Sequence, residues 1–95
     1  LGVVCLQLGR LSQAQAALKA SIALSRQVGD RRLAANALDT LGELHMQQGE
    51  PTAALAWHDA ALAELGELAG QPGYAGLVAD IQRHRQEALA ALRRP

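Results

Sequence analysis

Apolar residues between positions 31 and 48 recur every three or four places, which is the spacing of one face of an α-helix. The stripe consists of Ala34, Ala37, Leu38, Leu41, Leu44 and His45. Asp30 stands where an N-cap residue is expected, and Gly49 stands where a C-terminal glycine ends a helix. The pattern therefore predicts a helix over residues 31–48.

Two further stripes follow. Pro51 is placed for the first turn of a helix over residues 51–69, where a proline is tolerated. The cluster Gly70–Gly73 then predicts a turn, and another helix is expected over about residues 74–92. The two stripes are Ala54, Trp57, His58, Ala61, Leu62, Leu65 and Leu68, and then Leu77, Val78, Ile81, Ala88, Leu89 and Leu92.

The first thirty residues repeat this design. A short helix is expected over residues 1–8, Gly9 is expected to end it, and a second helix is expected near residues 11–28. Placed forty positions further along the chain, Leu1-Gly2 falls on Leu41-Gly42, and Gly9 falls on Gly49. The prediction is one all-α domain of about five helices, with a partial repeat over 1–30, a repeat over 31–70 and a capping helix over 74–92.

Composition supports helices and narrows the function. Hydrophobic residues make up 49% of the 95 residues, no Phe is present, and Ala and Leu dominate. The formal net charge is zero, so the overall charge does not favour binding to nucleic acid or to an anionic membrane. No apolar run in the sequence approaches the length of a membrane span. One cysteine, Cys5, rules out an internal disulfide and fits a cytoplasmic protein.

The spacing within the repeat resembles the tetratricopeptide repeat, whose pattern is Trp-x2-Leu-Gly-x2-Tyr, then Ala-x3-Phe, then Pro. The matching positions are Leu38-x2-Leu41-Gly42-x2-His45 with Ala54-x3-His58, and Leu1-Gly2-x2-Cys5 with Ala14-x3-Leu18. Gly42 and Ala54 are the specific part, because small residues stand where paired helices approach closely. The resemblance implies antiparallel helix-turn-helix units stacked as a right-handed solenoid, and a protein-interaction module without cofactors.

The sequence also departs from that pattern. The repeat spans forty residues, against about thirty-four in the family, and no proline closes either unit. Long repeats joined by Gly-Asp, as at Gly29-Asp30, resemble the C-terminal arrays of bacterial multidomain transcriptional regulators. The interpretation is a regulatory or sensor end of such a regulator. The alternatives are a structural self-association element and a peptide-binding receptor domain.

The ends of the chain carry a further expectation. Leu1 lies in the middle of an expected helix, so we expect upstream repeats. Without them, we expect an exposed apolar N-terminal face that drives the formation of a homodimer. The last expected helix has Gln82 where Gly2 and Gly42 stand, and His84 and Arg85 interrupt its stripe. We interpret it as a polar cap, which a terminal repeat needs.

No residue set predicts catalysis or a metal site. His45, His58 and His84 are 13 and 26 positions apart, so no two share a helix face as zinc ligands would. We expect His45 and His58 to be hydrogen-bonded packing residues, Cys5 a buried filler and Trp57 a packing residue between repeats. Phosphate-loop, nucleophile-elbow and zinc-protease motifs are absent from the sequence.

The resemblance places a partner on the concave surface, which the first helix of each repeat lines. The side chains opposite the packing stripes are expected to face that surface. They are Asn36, Asp39, Glu43, Met46, Gln47, Asp80, Arg83, Gln86 and Glu87. Asp39 and Glu43 would form an acidic centre, so a protein or peptide with a basic or polar segment is the expected partner.

Overall fold

The computed structural model describes the backbone of residues 2–93 and the side chains of residues 10–93. This part of the chain forms four α-helices, α1 (Gly2–Val28), α2 (Arg31–Gln47), α3 (Pro51–Leu65) and α4 (Ala75–Arg93). Two short 3₁₀ segments, Gly66–Gly70 and Pro72–Tyr74, connect α3 to α4. Each helix packs on the next in an antiparallel manner, and α2 also contacts α4. The prediction of an all-α fold is confirmed.

The ends of α2 follow the local signals in the sequence. Asp30 caps the helix, since its side-chain Oδ1 accepts a hydrogen bond of 3.0 Å from the Leu33 N–H. Gly49 has a φ of 76°, a left-handed conformation that favours glycine, and lies just past the helix end. Pro51 is the first residue of α3. All three predicted roles are confirmed.

The prediction of a helix break at Gly9 is wrong. Residues 2–28 form a single helix of 27 residues, so the first unit is not a helix pair. The reason is the residue that stands two positions after the glycine in each unit. Pro51 has no backbone N–H and cannot continue a helix, whereas its counterpart Leu11 has the N–H that a continuing helix needs. A glycine inside a helix costs only about 0.5–1 kcal/mol, which does not end it.

The helix expected over residues 51–69 also ends early. Gly66 has a φ of 53°, and α3 stops at Leu65. The following residues continue as the 3₁₀ segment, which brings the chain to Pro72 and the start of α4.

The core contains small and branched apolar side chains from all four helices. Its members are Ile22, Ala35, Ala37, Leu38, Leu41, Ala61, Leu65 and Ile81. Leu41 and Ile81 are both fully buried, as their equivalence in the forty-residue repeat predicts. Alanines at the contacts let the helix axes approach closely.

Surface contacts add little to this packing. Arg26 on α1 donates two hydrogen bonds, of 3.2 and 3.1 Å, to the Glu64 carboxylate on α3. That hydrogen bonding, together with the charge of Glu64, raises the pKa of Arg26, which remains charged at any physiological pH. Within the described residues, none of the helices has the length and apolar character to cross a membrane.

Candidate functional site

Gly42 lets α3 lie directly on the backbone of α2. A Cβ atom built at Gly42 would lie 2.5 Å from Cε1 and 2.7 Å from Nδ1 of His58. These distances are shorter than real Cβ contacts, so the imidazole of His58 fills the space that any side chain at position 42 would need. The predicted close approach of helices at Gly42 is confirmed.

The same imidazole belongs to a buried polar cluster that joins three helices. Asp39 on α2 accepts a hydrogen bond of 2.7 Å at Oδ1 from Nδ1 of His58 on α3. Its other oxygen, Oδ2, accepts a hydrogen bond of 2.9 Å from Nδ1 of His84 on α4. We call Asp39, His58 and His84 the His–Asp–His cluster. A buried carboxylate is costly unless its oxygens have donors, and here each oxygen has one.

Three further observations describe the surroundings of the histidine rings. Glu43, one turn after Asp39 on α2, places Oε1 3.4 Å from Nδ1 of His84. The Nε2 atom of His58 is fully buried and finds no hydrogen-bond partner among the described residues. The rings of His58 and His84 lie with their centroids 5.6 Å apart.

The prediction that Asp39 is open to a partner is wrong. Asp39 is only 4% exposed and is bonded to two histidines, so its charge does not contribute a free acidic centre. Helical periodicity places Asp39 opposite the packing stripe of α2. That side of α2 is nevertheless covered at this level, because both α3 and α4 contribute histidines to it.

The spacing argument also missed that the histidines meet. It compared positions along one helix, while His58 and His84 lie on different helices and converge only through tertiary packing. One signal in the sequence points to their contact. Asp39 lies one turn before Gly42, the position where α3 approaches most closely, so a polar residue there is placed to meet a side chain of α3.

His45 and Trp57 form a second contact between α2 and α3. Their rings stack with centroids 6.2 Å apart and an interplanar angle of 16°. Nδ1 of His45 lies 3.2 Å from Oε1 of Glu50, and Trp57 is half-buried against the core. Both residues act in packing, as predicted for them and for His58. Cys5 lies outside the residues whose side chains are described.

A cleft of about 410 Å³ opens above the His–Asp–His cluster, between α2 and α4. We call it the α2–α4 cleft. Its lining consists of Glu43, Met46, Gln47, His58, Arg83, His84 and Glu87. The structure therefore brings together five of the residues predicted for the concave surface, namely Glu43, Met46, Gln47, Arg83 and Glu87. The two histidines were not among the predicted residues.

The other predicted residues lie elsewhere. Gln86 and Arg83 line a depression of about 580 Å³ beside Leu62 of α3, on another side of α4. Asp80 is exposed and places Oδ1 3.3 Å from Nη2 of Arg83. Asn36 is exposed near the start of α2, and the described lining of the α2–α4 cleft does not include it.

A family model for the tetratricopeptide repeat matches residues 1–63. The chain belongs to the tetratricopeptide repeat family. No curated protein and no solved structure shows a match to the chain. The family model ends before α4, so the assignment of α4 as the first helix of a further repeat rests on the forty-residue equivalence of Leu38 with Val78 and of Leu41 with Ile81.

Membership of the family gives the chain a general role, because tetratricopeptide repeats are generally protein-protein interaction modules. The matched residues include all of α2, which forms one wall of the α2–α4 cleft, and they end before α4, which forms the other.

Proposed function

We propose that this chain is a protein-interaction module that binds a short polar or basic segment of a partner protein in the α2–α4 cleft. The observation that supports it most is the cleft itself, which lies between α2 and α4. By the forty-residue equivalence we take α2 and α4 as the first helices of consecutive repeats, and in this family the first helix of each repeat lines the concave surface. Its volume of about 410 Å³ is within the usual range of ligand pockets, about 300–1,000 Å³.

The charges around the cleft favour a basic segment. Glu43 and Glu87 both line it and both are exposed. The one arginine of the described lining, Arg83, is already paired with Asp80 outside the cleft. A lysine or arginine of the partner would therefore meet two carboxylates. An acidic partner segment would be repelled by the same carboxylates.

Met46 supplies an apolar contact in the same cleft. Its side chain is half-buried and has three rotatable bonds, so it can adapt to different partner side chains. Gln47 beside it is exposed and offers both a donor and an acceptor to a peptide backbone. The cleft thus combines a charge preference with limited shape selectivity.

The parent protein that fits best is a bacterial multidomain transcriptional regulator, with this chain as its C-terminal regulatory or sensor end in the cytoplasm. The supports are the forty-residue repeat and the Gly29-Asp30 junction, both found in the sequence. In that setting the cleft would bind a protein or peptide signal, or another part of the same regulator. The proposal includes no catalytic role.

The binding proposal is tested with peptides selected from a random displayed library. We expect enrichment of Lys or Arg, and selected peptides should bind several-fold more weakly to Glu43→Gln and Glu87→Gln, because each loses one carboxylate. Glu67→Gln is the matched control, since Glu67 is exposed on the 3₁₀ segment and does not line the cleft. Selected peptides that bind all three variants equally would contradict the proposal.

Self-association is the second candidate function. Three large apolar side chains are exposed around the junction of α1 and α2, namely Leu24 at 59%, Val28 at 70% and Leu33 at 45%. Exposed apolar groups that lie together mark interaction surfaces. This surface differs from the N-terminal face predicted for a homodimer, whose side chains lie outside the described residues. Light scattering across a dilution series, with Leu24→Ser and Val28→Ser as variants, tests this candidate.

A further inference from the structure

We propose that the His–Asp–His cluster is a site for a divalent transition-metal ion such as Zn²⁺. Asp39, His58 and His84 each offer one ligand atom, and these atoms all lie within 4.8 Å of one another. The three residues come from three different helices, so the fold itself holds the ligands together. The inference goes beyond the partner-binding proposal and does not depend on it.

The distances between the ligand atoms fit a metal site whose residues form hydrogen bonds to one another when no ion is bound. Nδ1 of His58 and Nδ1 of His84 lie 2.7 and 2.9 Å from the two oxygens of Asp39. Around Zn²⁺, with bonds of about 2.0–2.2 Å, tetrahedral ligand atoms stand about 3.3 Å apart. Each Nδ1–oxygen pair therefore needs to open by about 0.5 Å, and the other ligand separations, which are at most 4.8 Å, need to adjust to the same value of about 3.3 Å.

The ligand types select the class of metal. Two imidazoles and one carboxylate suit Zn²⁺, Co²⁺ and Ni²⁺, whereas Mg²⁺ and Ca²⁺ prefer oxygen ligands alone. Glu43 lies beside the site but is not one of its three converging ligands, since its Oε1 is 3.4 Å from Nδ1 of His84. Its carboxylate adds negative charge next to an ion that Asp39 and two neutral imidazoles would hold.

The Nε2 atom of His58 is fully buried and has no hydrogen-bond partner among the described residues. Coordination of the ion through Nδ1 would leave the ring proton on Nε2, so that atom would still lack a partner within the chain. The support for an ion is therefore the convergence of three ligand atoms from three helices.

His84 connects the cluster to the α2–α4 cleft, because it lines the cleft and its side chain is 17% exposed, whereas Asp39 and His58 are buried. An ion would therefore enter past His84. Arg83 lies in the same cleft and would repel a cation, but its guanidinium is held by Asp80 at 3.3 Å. Glu43 and Glu87 add negative charge at the entrance.

Titration of the chain with Zn²⁺ in a calorimeter tests the proposal. We expect about one ion per chain, and His84→Gln should weaken binding by at least about tenfold, since loss of even an outer contact of a metal site has that effect. His45→Gln is the matched control. The side chains of His84 and His45 are 17% and 18% exposed, but only His84 belongs to the cluster.

Two further readouts keep the test decisive. Zn²⁺ should raise the unfolding temperature of the native chain and of His45→Gln but not that of His84→Gln, and Co²⁺ should give the visible absorption of a tetrahedral site. The result should be the same in a Cys5→Ser background, which removes the thiol as a ligand. Absence of Zn²⁺ binding, or equal binding by His84→Gln and His45→Gln, would overturn the proposal.

Discussion

Replacement of Gly42 by alanine is the substitution whose effect the structure defines most closely. The new Cβ would lie 2.5 Å from Cε1, 2.7 Å from Nδ1 and 2.8 Å from Nε2 of His58. The ring cannot move away freely, because it is fully buried and its Nδ1 donates a hydrogen bond of 2.7 Å to Asp39. Either α3 moves away from α2 or the ring gives up that hydrogen bond.

The expected magnitude is the sum of opposing contributions. Alanine in a helix gains about 1 kcal/mol over glycine. Overpacking of a buried contact costs about 1–3 kcal/mol. Loss of a hydrogen bond to a charged group costs about 1.5–3 kcal/mol. Together these predict that Gly42→Ala lowers the free energy of unfolding by about 1.5–5 kcal/mol if the hydrogen bond to Asp39 breaks, and by up to about 2 kcal/mol if α3 moves away instead.

Urea unfolding followed by circular dichroism measures the effect. Gly76→Ala is the matched control, because Gly76 lies in α4 and a Cβ there would meet nothing within 4 Å. The control should range from unchanged to about 1 kcal/mol more stable. In a His58→Ala background the cost of Gly42→Ala should disappear, since the ring that the Cβ meets is gone. A Gly42→Ala chain stabilised by about 1 kcal/mol, as the Gly76→Ala control can be, would refute the reasoning.

Two other substitutions test the fold by the same urea assay. Asp30→Ala removes the N-cap that accepts from the Leu33 N–H, and we expect a loss of about 0.5–2 kcal/mol; Asp30→Asn, which can still cap, should restore most of it. Leu41→Ala opens a cavity at a fully buried position and should cost about 2–5 kcal/mol. A loss below about 1 kcal/mol at Leu41 would mean that α2 is less buried than the structure shows.

The sequence was sufficient to place helices wherever their ends carry local chemistry. For α2, a capping aspartate at the start and Gly49 at the end fixed its bounds to within a residue. The break at Gly9 was wrong because the repeat argument carried the glycine over without the proline that follows it in the second unit. A glycine permits a break, but a proline enforces one.

The polar cluster could not be predicted from the sequence in the same way. Asp39, His58 and His84 are separated by long stretches of chain, and their contact depends on how α3 and α4 lie against α2. Periodicity assigned Asp39 to an open face because it describes one helix at a time. The cleft residues Glu43, Met46 and Gln47 lie together because they share one face of α2, which is the kind of relation that periodicity describes.

The most direct test of the proposed function is to map a selected basic peptide on the chain by NMR, which suits a protein of 10.0 kDa. The account predicts that the peptide shifts the amide signals of α2 and α4 around the cleft, at Glu43, Met46, Gln47, Arg83 and Glu87. Shifts confined to the α1–α2 junction around Leu24 and Val28 would contradict it, and would assign binding to the exposed apolar surface instead.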